Sequence, residues 1–208
     1  MRSAGGAAPT VFAAPWSRLV VDVDLFADPA DEVMASRGMS AVYTRDAFGA
    51  VWRDEGDPLF VARSAELVER FYEPYHAALS ALVADVLAAH GRCLIIDVHS
   101  YPTAALPDEL PHDLRPQVCI GTDAFHTSAE LEAASVGAFV ERGFDVALNT
   151  PFAGALVPKA CYSTDPAVQA VMVEIRRDQN LESEPGGSPS AEAIDTLAHG
   201  VAAIALTF

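Results

Sequence analysis

Basic side chains are scarce in this 208-residue chain: 13 Lys and Arg stand against 29 Asp and Glu, the net charge is −16, and Lys159 is the only lysine. Phosphate binding needs clustered Lys and Arg, so this balance argues against a nucleic-acid partner and against an anionic membrane surface. Long apolar runs are also lacking. Segments such as Leu94-Ile95-Ile96 fall far short of the roughly 20 residues of a membrane span. The start, Met1-Arg2-Ser3-Ala4-Gly5-Gly6, has no signal-peptide core. Cysteine is limited to Cys93, Cys119 and Cys161, widely spaced and without a CxxC. That excludes a disulfide framework, a four-Cys zinc site and a redox CxxC, and reads as reduced thiols in a cytoplasmic protein.

What is present is an ordinary globular composition, 51% hydrophobic and 20% charged, of a length that suits a single domain over residues 1–208. Short apolar runs bounded by turn residues predict strands at Ser17–Val23, Cys93–Val98, Gln117–Ile120 and Phe144–Leu148, of the kind covered on both faces. Between them lie helical patterns. From Ser64 to His90 apolar residues recur at helical spacing, with Pro74 kinking or dividing the helix and Gly91 ending it. Thr127 and Glu130 have capping-box spacing before a second helix that stops ahead of Gly143. Ser188-Pro189 opens a third, with Ile194, Leu197, Ala198, Val201 and Ile204 on one stripe. Alternating strands and helices mean an α/β fold, and Glu182–Pro189 is the most flexible-looking segment.

Polar residues follow the strand patterns: Asp97, His99 and Ser100, then Thr122-Asp123, then Asn149. In open α/β sheets the ligand crevice lies outside the carboxyl ends of the strands, which places these residues on one rim. Asp97 and His99, two apart in a strand, share a face. A carboxylate beside an imidazole orients a general base or supports a metal ligand, although a hydrogen-bonded structural histidine fits the spacing too. Ser100 faces the other way and lacks a GxSxG elbow, which argues against a serine hydrolase. Glu174 closes the apolar run Val168–Ile175. There it suits a general base acting on water, or a salt bridge to Arg176 or Arg177. Asn149 and the turn after it can present amide groups to an oxyanion, and Arg18 can hold a carboxylate by two hydrogen bonds. Either has a structural reading as well. Pro102, Pro107, Pro111 and Pro116 suggest an ordered loop over the site.

In their order, several segments resemble the N-formylglutamate amidohydrolase family. These are Ser17-Arg18-Leu19-Val20-Val21-Asp22, Gly38-Met39 with Val42-Tyr43-Thr44-Arg45, and Phe71-Tyr72-Glu73-Pro74-Tyr75-His76. Further along come Asp97-Val98-His99-Ser100-Tyr101-Pro102, Ile120-Gly121-Thr122, Asn149-Thr150-Pro151-Phe152-Ala153-Gly154 and Val173-Glu174-Ile175-Arg176-Arg177. The resemblance implies a zinc-carboxypeptidase/phosphorylase-like, three-layer α/β/α fold with a mixed, largely parallel sheet. It implies metal-assisted hydrolysis of an N-acyl amino acid such as N-formyl-glutamate, with zinc as cofactor. By position, His99 matches the family's last metal ligand and Glu174 the carboxylate that activates water. Arg18, Asn149 and Arg177 match substrate-side groups. Members usually begin with a further stretch carrying a His-Ser-Gly motif and an acidic residue, whereas the first 16 residues here hold no His, Asp or Glu. The expectation is that this N-terminal part of the family domain is missing. Either Asp24, His76 or His126 completes the site, or the zinc and the activity are lost, or the chain is a shortened version of a longer protein. Where members commonly carry an arginine after the Asp22 strand, Leu25 stands. The alternative reading is a non-catalytic, metal-free relative that binds an acidic metabolite or a partner.

Overall fold

The computed structural model describes residues 9–107, 109, 114–183 and 186–208. They fall into two compact units: Val11–Asp85 with 106, 107 and 109, and Val86–Ala105 with the chain from 114 onward. Among the described residues no helix is long and apolar enough to cross a membrane.

The second unit is built on a mixed four-stranded sheet. Its strands are β1 (Cys93–Tyr101), β2 (Val118–Gly121), β3 (Val146–Leu148) and β4 (Val168–Arg176), in the order β1-β4-β2-β3. β1 runs parallel to β4 and β2 parallel to β3, while β4 and β2 are antiparallel. The α/β class and the mixed, largely parallel sheet expected from the sequence are therefore present. One consequence corrects the rim expectation. Because polarity reverses between β4 and β2, the carboxyl ends of β2 and β3 lie toward the opposite edge from that of β1, so His99 and Asn149 do not share a rim.

Helices α3 (Ala129–Val140) and α4 (Ala191–Ala205) flank this sheet. The alternation of side chains along each strand sends Val118, Ile120, Val171, Val173 and Ile175 into one core with Leu131, Ala138 and Phe139 of α3 and Leu197 and Ile204 of α4. The two helices approach closely at Gly200, where an added Cβ would come within 2.5 Å of the Phe139 ring. Phe139 is fully buried. Phe139→Ala is expected to cost about 3–5 kcal/mol, the usual penalty for removing a packed aromatic side chain, read as a lowered urea midpoint with an unchanged slope.

The starts of α3 and α4 fall one or two residues later than the sequence patterns suggest, while the first helix starts earlier than Ser64, at Phe60. Ser128 caps α3 through Leu131 N, while Thr127 is drawn away, its hydroxyl donating to Ala170 O at 2.7 Å. Ser190 caps α4 through Ala193 N, and Pro189 bridges Leu181 instead. The segment 182–189, singled out as flexible, lies partly outside the described residues, as does the loop with Pro111. Of the apolar stripe on α4, Ile194 is exposed.

In the first unit α1 (Phe60–Leu67) continues through a π turn, Val68–Tyr72, into α2 (Glu73–His90), which runs on into the second unit. Pro74 stands just after the π turn, so the helical run widens ahead of the proline and continues past it. Tyr75, Leu79 and Val83 form the buried stripe. Ser17–Val23, expected as a strand, is a turn and an extended stretch without a ladder. Side chains do the pairing there. Arg53 donates to Leu19 O at 2.6 Å, Val20 O at 3.4 Å and Tyr43 O at 2.7 Å, and Asp22 N–H donates to Ala41 O at 2.8 Å. The backbone groups of a strand are satisfied without a neighbouring strand, so the apolar pattern alone misleads.

Candidate active site

The sheet register lays out the chemistry of the second unit. His99 of β1 is paired with Glu174 of β4, and Glu174 with Cys119 of β2. Paired residues project to the same face, about 4.8 Å apart between neighbouring strands. This is the face opposite the α3–α4 core. Asp97 joins His99 on it, two residues back, with the imidazole Nε2 2.8 Å from Asp97 Oδ1. Both side chains are only 16% exposed. A carboxylate in that position fixes the ring's orientation, as the partner of a metal-binding imidazole does.

Glu174 is half-buried, and its Oε2 lies wholly inside the protein. The two arginines that follow it are engaged elsewhere. Arg176 grips Asp178 through Nε at 2.8 Å and Nη2 at 3.0 Å and also donates to Arg115 O, which holds the Asp178 carboxyl below its usual range. Arg177 reaches the Ser100 side chain and carbonyl, each at 3.4 Å. Since Ser100 points to the face away from His99, Arg177 is drawn to the end of β1 and not into the Asp97–His99–Glu174 group.

Cys119, beside Glu174, has no signal in the sequence that marks it. It is fully buried and donates to Phe152 O at 3.2 Å. Burial pushes its thiol up to about 11, so at neutral pH it is a neutral donor and not a thiolate nucleophile. Its hydrogen bond ties the loop after β3 to the centre of the sheet. Gly121 serves the same loop, for a Cβ there would meet Gly154 O at 2.6 Å.

Asn149 lies just past β3, with two strands, β2 and β4, between it and β1. Its amide is committed to β2: Oδ1 accepts from Thr122 N and Nδ2 donates to Thr122 Oγ1, both at 2.8 Å. The backbone there is left-handed, φ 53°, a conformation asparagine tolerates better than most residues. His126 is excluded as a ligand. It is 1% exposed, with Nδ1 2.8 Å from Val168 O and Nε2 accepting from Ser163 N at 2.9 Å. Both nitrogens are spent on backbone, a role the sequence could not distinguish from that of His99.

In the first unit Arg18 faces two carboxylates, Asp22 at 3.8 Å and Asp24 at 3.4 Å. All three line a shallow pocket of about 110 Å³ with Trp16, Val21 and Val23. His76 places Nε2 2.9 Å from Val23 O, and burial lowers its pKa. Asp22, buried within an apolar run, is a residue whose importance the sequence reading missed; an acidic side chain among Val20, Val21 and Val23 was the available signal.

A metal ion implied by the sequence resemblance can be tested against the donors. An imidazole oriented by a carboxylate, on the same face as a second, half-buried carboxylate, offers nitrogen and oxygen atoms of the kind that suit zinc. These donor types suit zinc, and they make up part of the roughly three-ligand set that a catalytic zinc takes.

The family resemblance seen in the sequence segments is found again in comparison with known proteins. The sequence family described as N-formylglutamate amidohydrolase matches residues 1–181. No curated protein matches the chain. The fold is similar to a crystal structure of N-formylglutamate amidohydrolase from Ralstonia eutropha JMP134, with TM-score 0.72 and 20% identity over 90% of this chain and 72% of that one. A gene product of Agrobacterium tumefaciens is also similar, with TM-score 0.63 and 18% identity over 92% of this chain and 69% of that one.

Proposed function

Since the chain belongs to the N-formylglutamate amidohydrolase family, a family of hydrolases acting on carbon–nitrogen bonds, we propose that it is a metal-dependent amidohydrolase cleaving the amide of an N-acyl amino acid such as N-formyl-glutamate. The observation that supports this most is the pairing of His99 with Glu174 on adjacent strands, with Asp97 bonded to the imidazole.

In this reading His99 holds the metal, oriented by Asp97. Zinc, when bound, lowers the pKa of a water to about 7 and polarises an acyl oxygen. Glu174 removes a proton from the attacking water as its oxygen bonds to the acyl carbon. As the carbon–nitrogen bond breaks, Glu174 returns that proton to the departing amine, so N-formyl-glutamate yields formate and glutamate. Arg18 binds a substrate carboxylate through its planar fork. Asn149 and Arg177 serve the substrate side by shaping the loop after β3 and the end of β1. An acidic protein with few cations needs such individually placed arginines to hold an anionic substrate.

The test uses protein purified without chelator or histidine tag. Incubation with N-formyl-glutamate is expected to release formate, with release abolished by a chelator and restored by zinc. If no divalent ion supports release while N-formyl-glutamate still raises the melting temperature, the chain binds without catalysis and the hydrolase reading fails.

A further inference from the structure

Arg18 sits on an irregular segment, where no ladder fixes the direction of its side chain. A long, flexible guanidinium in that setting binds a carboxylate well only if something else limits its rotamers. The structure supplies such a restraint. Asp22 is 2% exposed and Tyr43 4%, so neither is held in place for contact with solvent. The Tyr43 hydroxyl donates to Asp22 Oδ2, and the same oxygen lies 3.8 Å from Arg18 Nη1. Asp22 Oδ1 accepts from Asp24 N at 3.1 Å, which turns the chain so that Asp24 also faces Arg18. Burial above all, and then the Asp22 charge, raises the Tyr43 phenol far above its ordinary range, while Arg18 acts on the same hydroxyl in the opposite sense through charge and hydrogen bonding. The phenol is thus a permanent donor standing between a carboxylate and a guanidinium. Arg53 anchors the rear of the arrangement, joining Tyr43 O to Leu19 O and Val20 O.

We propose that Tyr43 and Asp22 are positioning residues for Arg18, setting its guanidinium for a carboxylate of the substrate; this rests on the reading that Arg18 binds that group. The lengths support it. Contacts of 3.4 and 3.8 Å are longer than the roughly 2.8 Å of a tight charge-assisted bond, and the Arg18 side chain is 56% exposed. Asp22, held by Tyr43, and Asp24 together aim the guanidinium, whose side chain remains exposed to an approaching ligand carboxylate.

Two measurements test this in the full chain. Tyr43→Phe, which keeps the ring and removes the hydroxyl, is expected to raise KM for N-formyl-glutamate about tenfold with kcat within about twofold. The KM effect should vanish when Arg18 is already alanine, because the two residues then share no interaction to lose. Equal effects of Tyr43→Phe in both backgrounds, or a fall in kcat alone, would overturn the proposal in favour of a merely structural role. The second measurement needs no substrate: the rate at which phenylglyoxal modifies Arg18, followed by peptide mass spectrometry, is expected to rise several-fold in Tyr43→Phe. An unchanged rate would also overturn it. Should wild-type protein leave N-formyl-glutamate intact, the parent reading fails while the modification rate still decides whether Arg18 is positioned. Asp22→Asn, which keeps the shape and removes the charge, provides the same two readouts if Tyr43→Phe does not fold.

Discussion

Glu174→Gln is expected to lower kcat for N-formyl-glutamate by roughly 10²- to 10⁴-fold, the range that a positioned general base contributes. KM should change little and the melting temperature hardly at all. The substitution preserves shape and hydrogen-bonding reach but removes the ability to take a proton. Its position makes the test clean, since Glu174 lies mid-strand in β4 between β1 and β2, so the backbone around it is held by ladders on both sides. Near-wild-type turnover in this variant would remove Glu174 from the mechanism and shift attention to Asp97.

On the proposed metal-dependent mechanism, His99→Ala should reduce turnover to the level of the chelated protein and abolish zinc binding as well. The two losses are expected together because a catalytic zinc normally depends on each of about three protein ligands. Metal content per chain, measured by atomic emission before and after dialysis, checks the first loss, and formate release checks the second. Far-ultraviolet circular dichroism should be unchanged, since the His99 side chain stands on the face away from the α3–α4 core. Retention of one zinc per chain in the variant would mean that the ion sits elsewhere. Full turnover would remove the imidazole from the chemistry altogether.

Much of the second unit was legible in the sequence because its elements are marked by burial. Cys93–Val98 is an apolar run interrupted only by Asp97, and the structure extends it to Tyr101. Val168–Ile175, apolar apart from Gln169 and Glu174 but not among the four expected strands, becomes β4. The same-face relation of Asp97 and His99 follows from a period of two and needed no coordinates. Strand direction was not legible, because an apolar run reads the same whether its neighbour is parallel or antiparallel, and that is why the shared rim of His99 and Asn149 failed. Ser17–Val23 misled for a different reason: its partners are Arg53 and Ala41, far along the chain, and nothing local announces them. His126 and His99 look alike as letters, yet one spends both ring nitrogens on backbone and the other faces two carboxylates. The α3 cap moved by one position, from Thr127 to Ser128, with the Thr127 hydroxyl bonded to the distant Ala170 carbonyl.

The pairing of β1 with β4 also has a consequence for how the protein acquires its chemistry. Everything from Pro102 to Ala167 separates the two strands, so their union closes a long loop and contributes to slow folding. Until β4 has left the ribosome, β1 has neither a partner on that side nor Glu174 opposite His99. A nascent chain halted before Val168 would expose the apolar edge of β1 to other chains. Competence for hydrolysis and protection from aggregation would then arrive in the same late event, the insertion of β4 between β1 and β2.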